Sequence, residues 1–221
     1  MNVEQARFNM IEQQIRPWNV LDAGVLDLLA QVRREDFVPA AHKALAFADM
    51  ELPLRAGGES GQCMLAPKVE ARMLQDLAIQ KHERVLEIGT GSGYMAALLA
   101  RRAQRVISLD IEPELVKLAR ANLQQAGISN VDVREADGAK GVPVEGPFDA
   151  IVLSGSVAEV PHKLLEQLKT GGRLMTIVGD APVMRATLIT RTSAVEYLTS
   201  QGWDTLAPRL LNFPEHSRFN F

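Results

Sequence analysis

From residue 84 onward, short apolar runs alternate with amphipathic stretches, and that alternation limits the architecture more than any other feature of the chain. Runs at 84–88, 105–110, 131–135, 150–153 and 173–178 read as strands, and stretches at 94–101, 113–126 and 160–167 read as helices between them. Strands joined through helices make right-handed crossovers, so they form a parallel sheet covered on both faces. The tail breaks the pattern. Segments 186–192 and 203–208 look like strands with only a short connection, 194–201, which permits an antiparallel edge. The expected fold is α/β: a mostly parallel, doubly wound sheet with an antiparallel edge strand and an N-terminal helical segment.

That N-terminal segment carries helical signals of its own. Residues 2–15 place Ala6, Phe8, Met10, Ile11 and Ile15 at apolar positions, and Pro17 stops the run. Asp22 can cap a second helix whose apolar face is Val25, Leu26, Leu28, Leu29 and Val32. A third short helix is expected at 41–48 and a Gly-rich polar loop at 55–62. Pro67 then opens a helix through Val69, Met73, Leu74 and Leu77. No repeat or linker interrupts the 221 residues, so one domain is expected, 1–221. It divides into a helical and loop segment, 1–80, and a cofactor-binding sheet with C-terminal strands, 81–221.

Composition removes several classes of function. With 24 basic and 27 acidic residues the net charge is -3, which offers no footprint for nucleic acid or an anionic membrane. No apolar stretch approaches the ~20 residues of a membrane span, and the polar N-terminus lacks the core of a signal peptide. The single cysteine, Cys63, excludes an internal disulfide and suits a reducing compartment, so a cytoplasmic location is expected. His42, His82, His162 and His216 are scattered without ligand spacing, and no metal site is expected.

The chemistry concentrates at Val85-Leu86-Glu87-Ile88-Gly89-Thr90-Gly91-Ser92-Gly93-Tyr94. An apolar strand breaks into alternating glycines and then a helix, a geometry that brings backbone close to a nucleotide-like cofactor. The spacing is G-x-G-x-G, whereas the dinucleotide fingerprint is G-x-G-x-x-G, and position 94 is Tyr94. Glu87 precedes the first glycine by two residues, where a carboxylate repels a pyrophosphate and attracts a cation. S-adenosylmethionine carries a sulfonium and an ammonium and no phosphate, so the stretch favours that cofactor over a nicotinamide dinucleotide. Asp110 closes the next strand, twenty-one residues beyond Gly89, where it can accept from both ribose hydroxyls, with Ile111 beside it. Asp137 follows the third strand, placed to accept from the exocyclic amine of adenine, and Gly138 lets backbone approach the ring. Ser154-Gly155-Ser156 forms a fourth strand-end loop, with Ser154 facing the methionine moiety or the substrate.

These residues resemble the protein-L-isoaspartate O-methyltransferase family, and the resemblance extends beyond the cofactor core. Val25-Leu26-Asp27 followed by Arg34-Glu35-Asp36-Phe37-Val38-Pro39 resembles that family's N-terminal signature, a helix leading to R-E-x-F-V-P. Residues 49–54 and Gly61-Gln62 fall where the family has its substrate loop, and Phe148-Asp149 with residues 161–174 continue the likeness. The resemblance implies a Rossmann-like class I methyltransferase fold, S-adenosyl-L-methionine, and methylation of the carboxylate of abnormal aspartyl residues in damaged proteins. It implies a peptide or protein substrate, with a small molecule also possible; composition points to no nucleic acid or membrane partner, and a monomer or homodimer is expected.

The substrate loop departs from the family pattern. G-Q-T-I-S-x-P is here Gly61-Gln62-Cys63-Met64-Leu65-Ala66-Pro67, so the threonine is Cys63 and the active-site serine is Leu65. Ser60 is out of register with the missing hydroxyl. Gln62, Cys63 and Leu65 are the expected acceptor-site positions, and their chemistry keeps two alternatives open. One is a methyltransferase of the same lineage with a different, apolar or small acceptor; the other is a non-catalytic S-adenosylmethionine-binding protein. The C-terminal end departs as well, with Leu206-Ala207-Pro208-Arg209-Leu210 where the family closes on a strand containing V-P-L.

Overall fold

A computed structural model describes residues 2–55 and 61–215. Ser60, His216, Phe219 and Phe221 lie outside the described residues. The N-terminal arm is mostly helical. Helix α1 (Val3–Met10) is capped by the Asn2 side chain, which accepts from the N–H groups of Glu4 and Gln5. The helix runs on through a π turn, Ile11–Ile15, into a 3₁₀ turn, Arg16–Trp18, that contains Pro17 and ends at Asn19 with φ 64°. Helix α2 (Ala23–Gln31) begins as expected, with Val25 N–H donating to Asp22 Oδ1 at 2.8 Å. The third helix is a 3₁₀ segment, Ala40–Leu45.

Flanking the expected loop is a feature the sequence does not announce, an antiparallel ribbon of β1 (Leu52–Pro53) and β2 (Cys63–Met64). Two residues per strand leave no alternation to read. Helix α3 (Pro67–Leu77) follows, and Arg34, fully buried, ties this region together. Its guanidinium donates to the carbonyls of Ala46 (3.0 Å) and Leu65 (2.9 Å).

The main sheet has seven strands in the order β5-β4-β3-β6-β7-β8-β9. Strands β3 (Arg84–Ile88), β4 (Arg105–Asp110) and β5 (Val131–Glu135) fall at the expected residues and pair in parallel. Strand β6 (Phe148–Val157) joins the other side of β3, also in parallel, and β7 (Leu168–Asp180) continues the parallel run. The topology therefore reverses between β4 and β6, on either side of β3. Helices α4 (Tyr94–Arg102) and α5 (Pro113–Gln125) make the crossovers, while the helix expected at 160–167 shrinks to one turn, α6 (His162–Leu165).

Two expectations at the second half of the sheet are corrected. Ser154-Gly155-Ser156 is the end of β6 rather than a loop, with the register shifting between Val152 and Ser156. Its backbone pairs there with the segment after β9: Ser156 N–H donates to Pro208 O at 2.7 Å and Leu210 N–H to Ser156 O at 2.9 Å. The antiparallel edge has two strands, β8 (Val183–Arg191) against β7 and β9 (Tyr197–Asp204) against β8. Strand β9 thus lies earlier than 203–208. As an edge strand it is mostly solvent-exposed on both sides, so no hydrophobic alternation marks it.

Alternate sheet residues sort to two faces. Val85, Val106, Val133, Val152 and Ile177 pack under the N-terminal helices with α3, α4 and α5. Leu86, Ile88, Ile107, Leu109, Leu153 and Leu174 face α6 and Phe213. Each such fully buried aliphatic side chain contributes ~1.5–3 kcal/mol relative to its exposed form. Among the described residues no helix is long and apolar enough to cross a membrane.

Candidate active site

The carboxyl ends of β3, β4 and β6 open into one cleft with about 650 Å³ of unfilled space, at the point where the strand order reverses. Its floor is the glycine turn. Gly89, Gly91 and Gly93 all take positive φ, 90°, 54° and 85°, which side chains with a Cβ rarely adopt. Gly89 and Gly91 line the cleft. Gly93 does not: it starts α4 and packs on Ala119 of α5, where an added Cβ would sit 3.3 Å from the Ala119 Cβ. Thr90 points the other way, its hydroxyl 2.6 Å from Ser108 Oγ, and lines a smaller cavity behind the turn.

Glu87 has no exposed surface and does not line the cleft. It is the hub beneath the floor, accepting from Ser108 Oγ at 2.6 Å and Ser154 Oγ at 3.0 Å. Burial pushes its carboxyl up to about 8, against the pull of the two serine hydroxyls. Ser154, held this way, lines the cleft with Gly89.

Asp110 stands at the end of β4 with both oxygens fixed. Gly91 N–H donates to Oδ2 at 2.8 Å and Glu112 N–H to Oδ1 at 3.0 Å, so the glycine turn and the carboxylate are built as one piece. Burial raises its carboxyl above the ordinary range despite those donors. Ile111 lines the cleft beside it, as do Asp137 and Gly138 after β5. Asp137 caps a 3₁₀ turn, Gly138–Lys140, by accepting from Ala139 N–H at 3.1 Å. Gly138 is required for space under the cleft, since a Cβ there would come 2.1 Å from Ile88 Cγ2.

Two walls were not visible in the sequence. Leu109, Leu115 and Leu54 give one apolar side. The other comes from the segment after β9, where Arg209, Leu210, Leu211 and Phe213 close over the turn, Leu210 directly above Gly89. Arg209 is held by ion pairs to Asp180 and Glu215, with its Nη1 buried and unpartnered.

Of the expected acceptor positions, Gln62 and Cys63 line the cleft, and Leu65 lines the smaller cavity with its side chain buried. Gln62 Oε1 is buried without a hydrogen-bond partner. Burial, then the nearby Glu51 carboxyl, pushes the Cys63 thiol up to about 12, so it is a neutral thiol and no nucleophile at physiological pH.

An open parallel sheet with a glycine turn after its first long strand, and an acid closing the next, is the Rossmann-like fold of the methyltransferases. Within that class the chain belongs to the protein-L-isoaspartate(D-aspartate) O-methyltransferase family, whose profile matches residues 5–201. It is 42% identical over 189 residues to protein-L-isoaspartate O-methyltransferase 1 of Syntrophobacter fumaroxidans, covering 86% of each chain. It is 43% identical over 173 residues to the protein-L-isoaspartate O-methyltransferase of Methanoculleus marisnigri, covering 78% of this chain and 77% of the other. The fold also matches a Plasmodium falciparum beta-aspartate methyltransferase solved in complex with S-adenosyl-L-homocysteine. That match has a TM-score of 0.77 and 20% identity over 94% of this chain and 97% of that one.

Proposed function

We propose that this protein binds S-adenosylmethionine in the cleft and methylates the side-chain carboxylate of isoaspartyl and related abnormal aspartyl residues in proteins. The observation that carries the cofactor reading is the charge balance of the cleft. Among the described residues four charged side chains line it: Asp110, Glu112, Asp137 and Arg209. Glu112 is answered by Arg55 at 3.1 Å and Arg209 by Asp180 and Glu215. Asp110 and Asp137 have no cationic partner among the described residues. Such a site suits a ligand with positive charge and sugar hydroxyls and disfavours a pyrophosphate.

The residues fit the cofactor part by part. Asp110, immobilised by two N–H groups, takes the ribose hydroxyls with its remaining lone pairs. Ile111, Leu115 and Phe213 supply apolar walls for the purine, and Asp137 an acceptor for its amine. Gly89, Gly91 and Ser154 form the floor for the amino-acid end. When bound, S-adenosylmethionine supplies an electrophilic methyl group on its sulfonium. An acceptor carboxylate has an ordinary pKa near ~4 and is ionised at neutral pH, so no residue need act as a base. The protein's part is to orient that carboxylate and exclude water, with Gln62 and the backbone of residues 63–65 nearest to the place where it enters. A single-domain, cytoplasmic enzyme acting on protein substrates is the organisation that accompanies this reading.

Calorimetric titration tests the cofactor reading. S-adenosyl-L-homocysteine is expected to bind and NAD not to, and Asp110→Ala is expected to weaken binding about tenfold or more, the cost of a hydrogen bond to a charged group. Binding of NAD alone contradicts it. The buried Leu65, with no hydroxyl to offer, favours a second reading in which the acceptor is a different, apolar or small one.

A further inference from the structure

Behind β2 the cleft continues into a second, smaller cavity, and Cys63, Gly89, Gly91 and Ser154 line both spaces. It holds about 270 Å³ of unfilled space, little of it open to a whole molecule, so it admits roughly one small polar group, the size of a water or a carboxyl oxygen. Two side chains end in this cavity with buried polar atoms that have no hydrogen-bond partner: Glu70 Oε2, from α3, and Tyr94 OH, from the start of α4. Both residues are buried, at 4% and 1% exposure. Buried polar atoms are nearly always satisfied, so an unpartnered pair facing one cavity points to a ligand.

Arg34 does not supply that partner. Its Nε, itself without a hydrogen-bond partner, forms an ion pair with Glu70 Oε2 at 3.8 Å, too long for a hydrogen bond, and its Nη1 and Nη2 donate to Ala46 O and Leu65 O. It holds the loop in place instead. We infer that Glu70 and Tyr94 form the subsite that receives the acceptor's carboxylate, giving it the hydrogen bonds that Leu65 cannot. This rests on the methyltransferase reading above and names the groups that would orient its acceptor.

The charges around Glu70 agree with a donor role. Facing it are Arg34 from the 3₁₀ turn Arg34–Asp36, Glu87 from β3, Cys63 from β2 and Tyr94 from α4, with Glu35 and Arg7 facing Tyr94 in turn. Burial pushes the Glu70 carboxyl up to about 8, Glu87 pushes the same way and Arg34 opposes. Burial likewise holds the Tyr94 phenol in its protonated form. In its protonated form each group carries an O–H that an ionised acceptor can take. Above about pH 8 Glu70 becomes a carboxylate and repels the acceptor.

The test is steady-state methylation of a synthetic peptide containing one isoaspartyl residue by the 221-residue chain, with wild type, Glu70→Gln, Glu70→Leu and Tyr94→Phe compared from pH 6.5 to 9.5. For wild type, the peptide KM is expected to rise roughly tenfold across the alkaline limb, as a hydrogen bond to a charged group is lost and repulsion replaces it. Glu70→Gln keeps an N–H donor and is expected to hold the neutral-pH KM while flattening the limb. Glu70→Leu and Tyr94→Phe are expected to raise the peptide KM about tenfold with less change in kcat, as loss of a ground-state contact does. Affinity for S-adenosyl-L-homocysteine is expected to stay unchanged in all three. A wild-type enzyme that turns the peptide over, with Glu70→Gln and Tyr94→Phe matching its KM and pH profile, overturns the subsite. If wild type binds S-adenosyl-L-homocysteine yet leaves the peptide unmethylated, the isoaspartyl reading itself falls, and the subsite with it.

Discussion

Glu87 shows how a residue can shape a cleft without lining it. Its two oxygens hold Ser108 and Ser154, and Ser108 holds Thr90, so one buried carboxyl sets three side chains around the glycine turn. The arrangement has a measurable pH signature. Glu87 is raised from an ordinary 4.5 to about 8, so the folded chain keeps a proton that the unfolded chain releases. Its contribution to stability is full below about pH 4.5, falls as pH rises toward 8 and is lost beyond. Each tenfold difference in proton affinity between the folded and unfolded chain is worth ~1.4 kcal/mol. Urea denaturation of Glu87→Gln over pH 5–9 is expected to show a shallower decline than wild type; an equal slope removes Glu87 as its source. The sequence places this residue by its spacing from Gly89, but an acid before a glycine turn does not reveal whether it points into the cleft or beneath it. Glu70 was harder to see, because a glutamate on a helix is ordinarily a solvated charge. Its signal was positional: Met73, Leu74 and Leu77 follow it at i+3, i+4 and i+7, which sets Glu70 on the buried stripe of α3.

At the scale of elements, legibility followed burial. Strands β3, β4 and β5 are found at the expected residues because their composition is dictated by packing on the sheet. Where packing does not dictate composition, the sequence said less. Strand β9 lies at the exposed edge, β1 and β2 are too short to show a period, and the segment after β9 has no regular structure. Yet that irregular segment roofs the cleft, anchored through Ser156 and by Arg209. Its Leu210 carries a test of this role. Leu210 Cδ2 would lie 3.0 Å from a Cβ at Gly89, so the side chain fills the space above the glycine turn. Leu210→Ala is expected to weaken S-adenosyl-L-homocysteine binding about tenfold, the equivalent of ~1.4 kcal/mol of lost contact, with a much smaller loss of folding stability. Unchanged affinity by calorimetry would show that the segment does not close the site.

For the molecule as a whole, the sheet has two unequal coats. The face under α3, α4, α5 and the N-terminal arm is thickly covered, and the arm positions the loop at Gln62, Cys63 and Leu65 against the cleft through Arg34. The opposite face relies on α6 and the final described segment. One core cluster joins the N-terminal arm to the sheet, running from Met10 in α1 through Ile177 in β7 to Ala207 after β9. In the proposed function the sheet and its carboxylates hold the cofactor, while residues of the N-terminal half, together with Tyr94, shape the place where the acceptor carboxylate enters. The donor side was legible because it follows a spacing rule, whereas the acceptor side is built from side chains that meet only in the fold. The central claim is tested most directly by methyl transfer from S-adenosylmethionine to a peptide with one isoaspartyl residue, set against its normal aspartyl twin. Methylation of the isoaspartyl peptide alone is the expected result. Equal labelling of both peptides, or of neither by a protein that binds S-adenosyl-L-homocysteine, would contradict it.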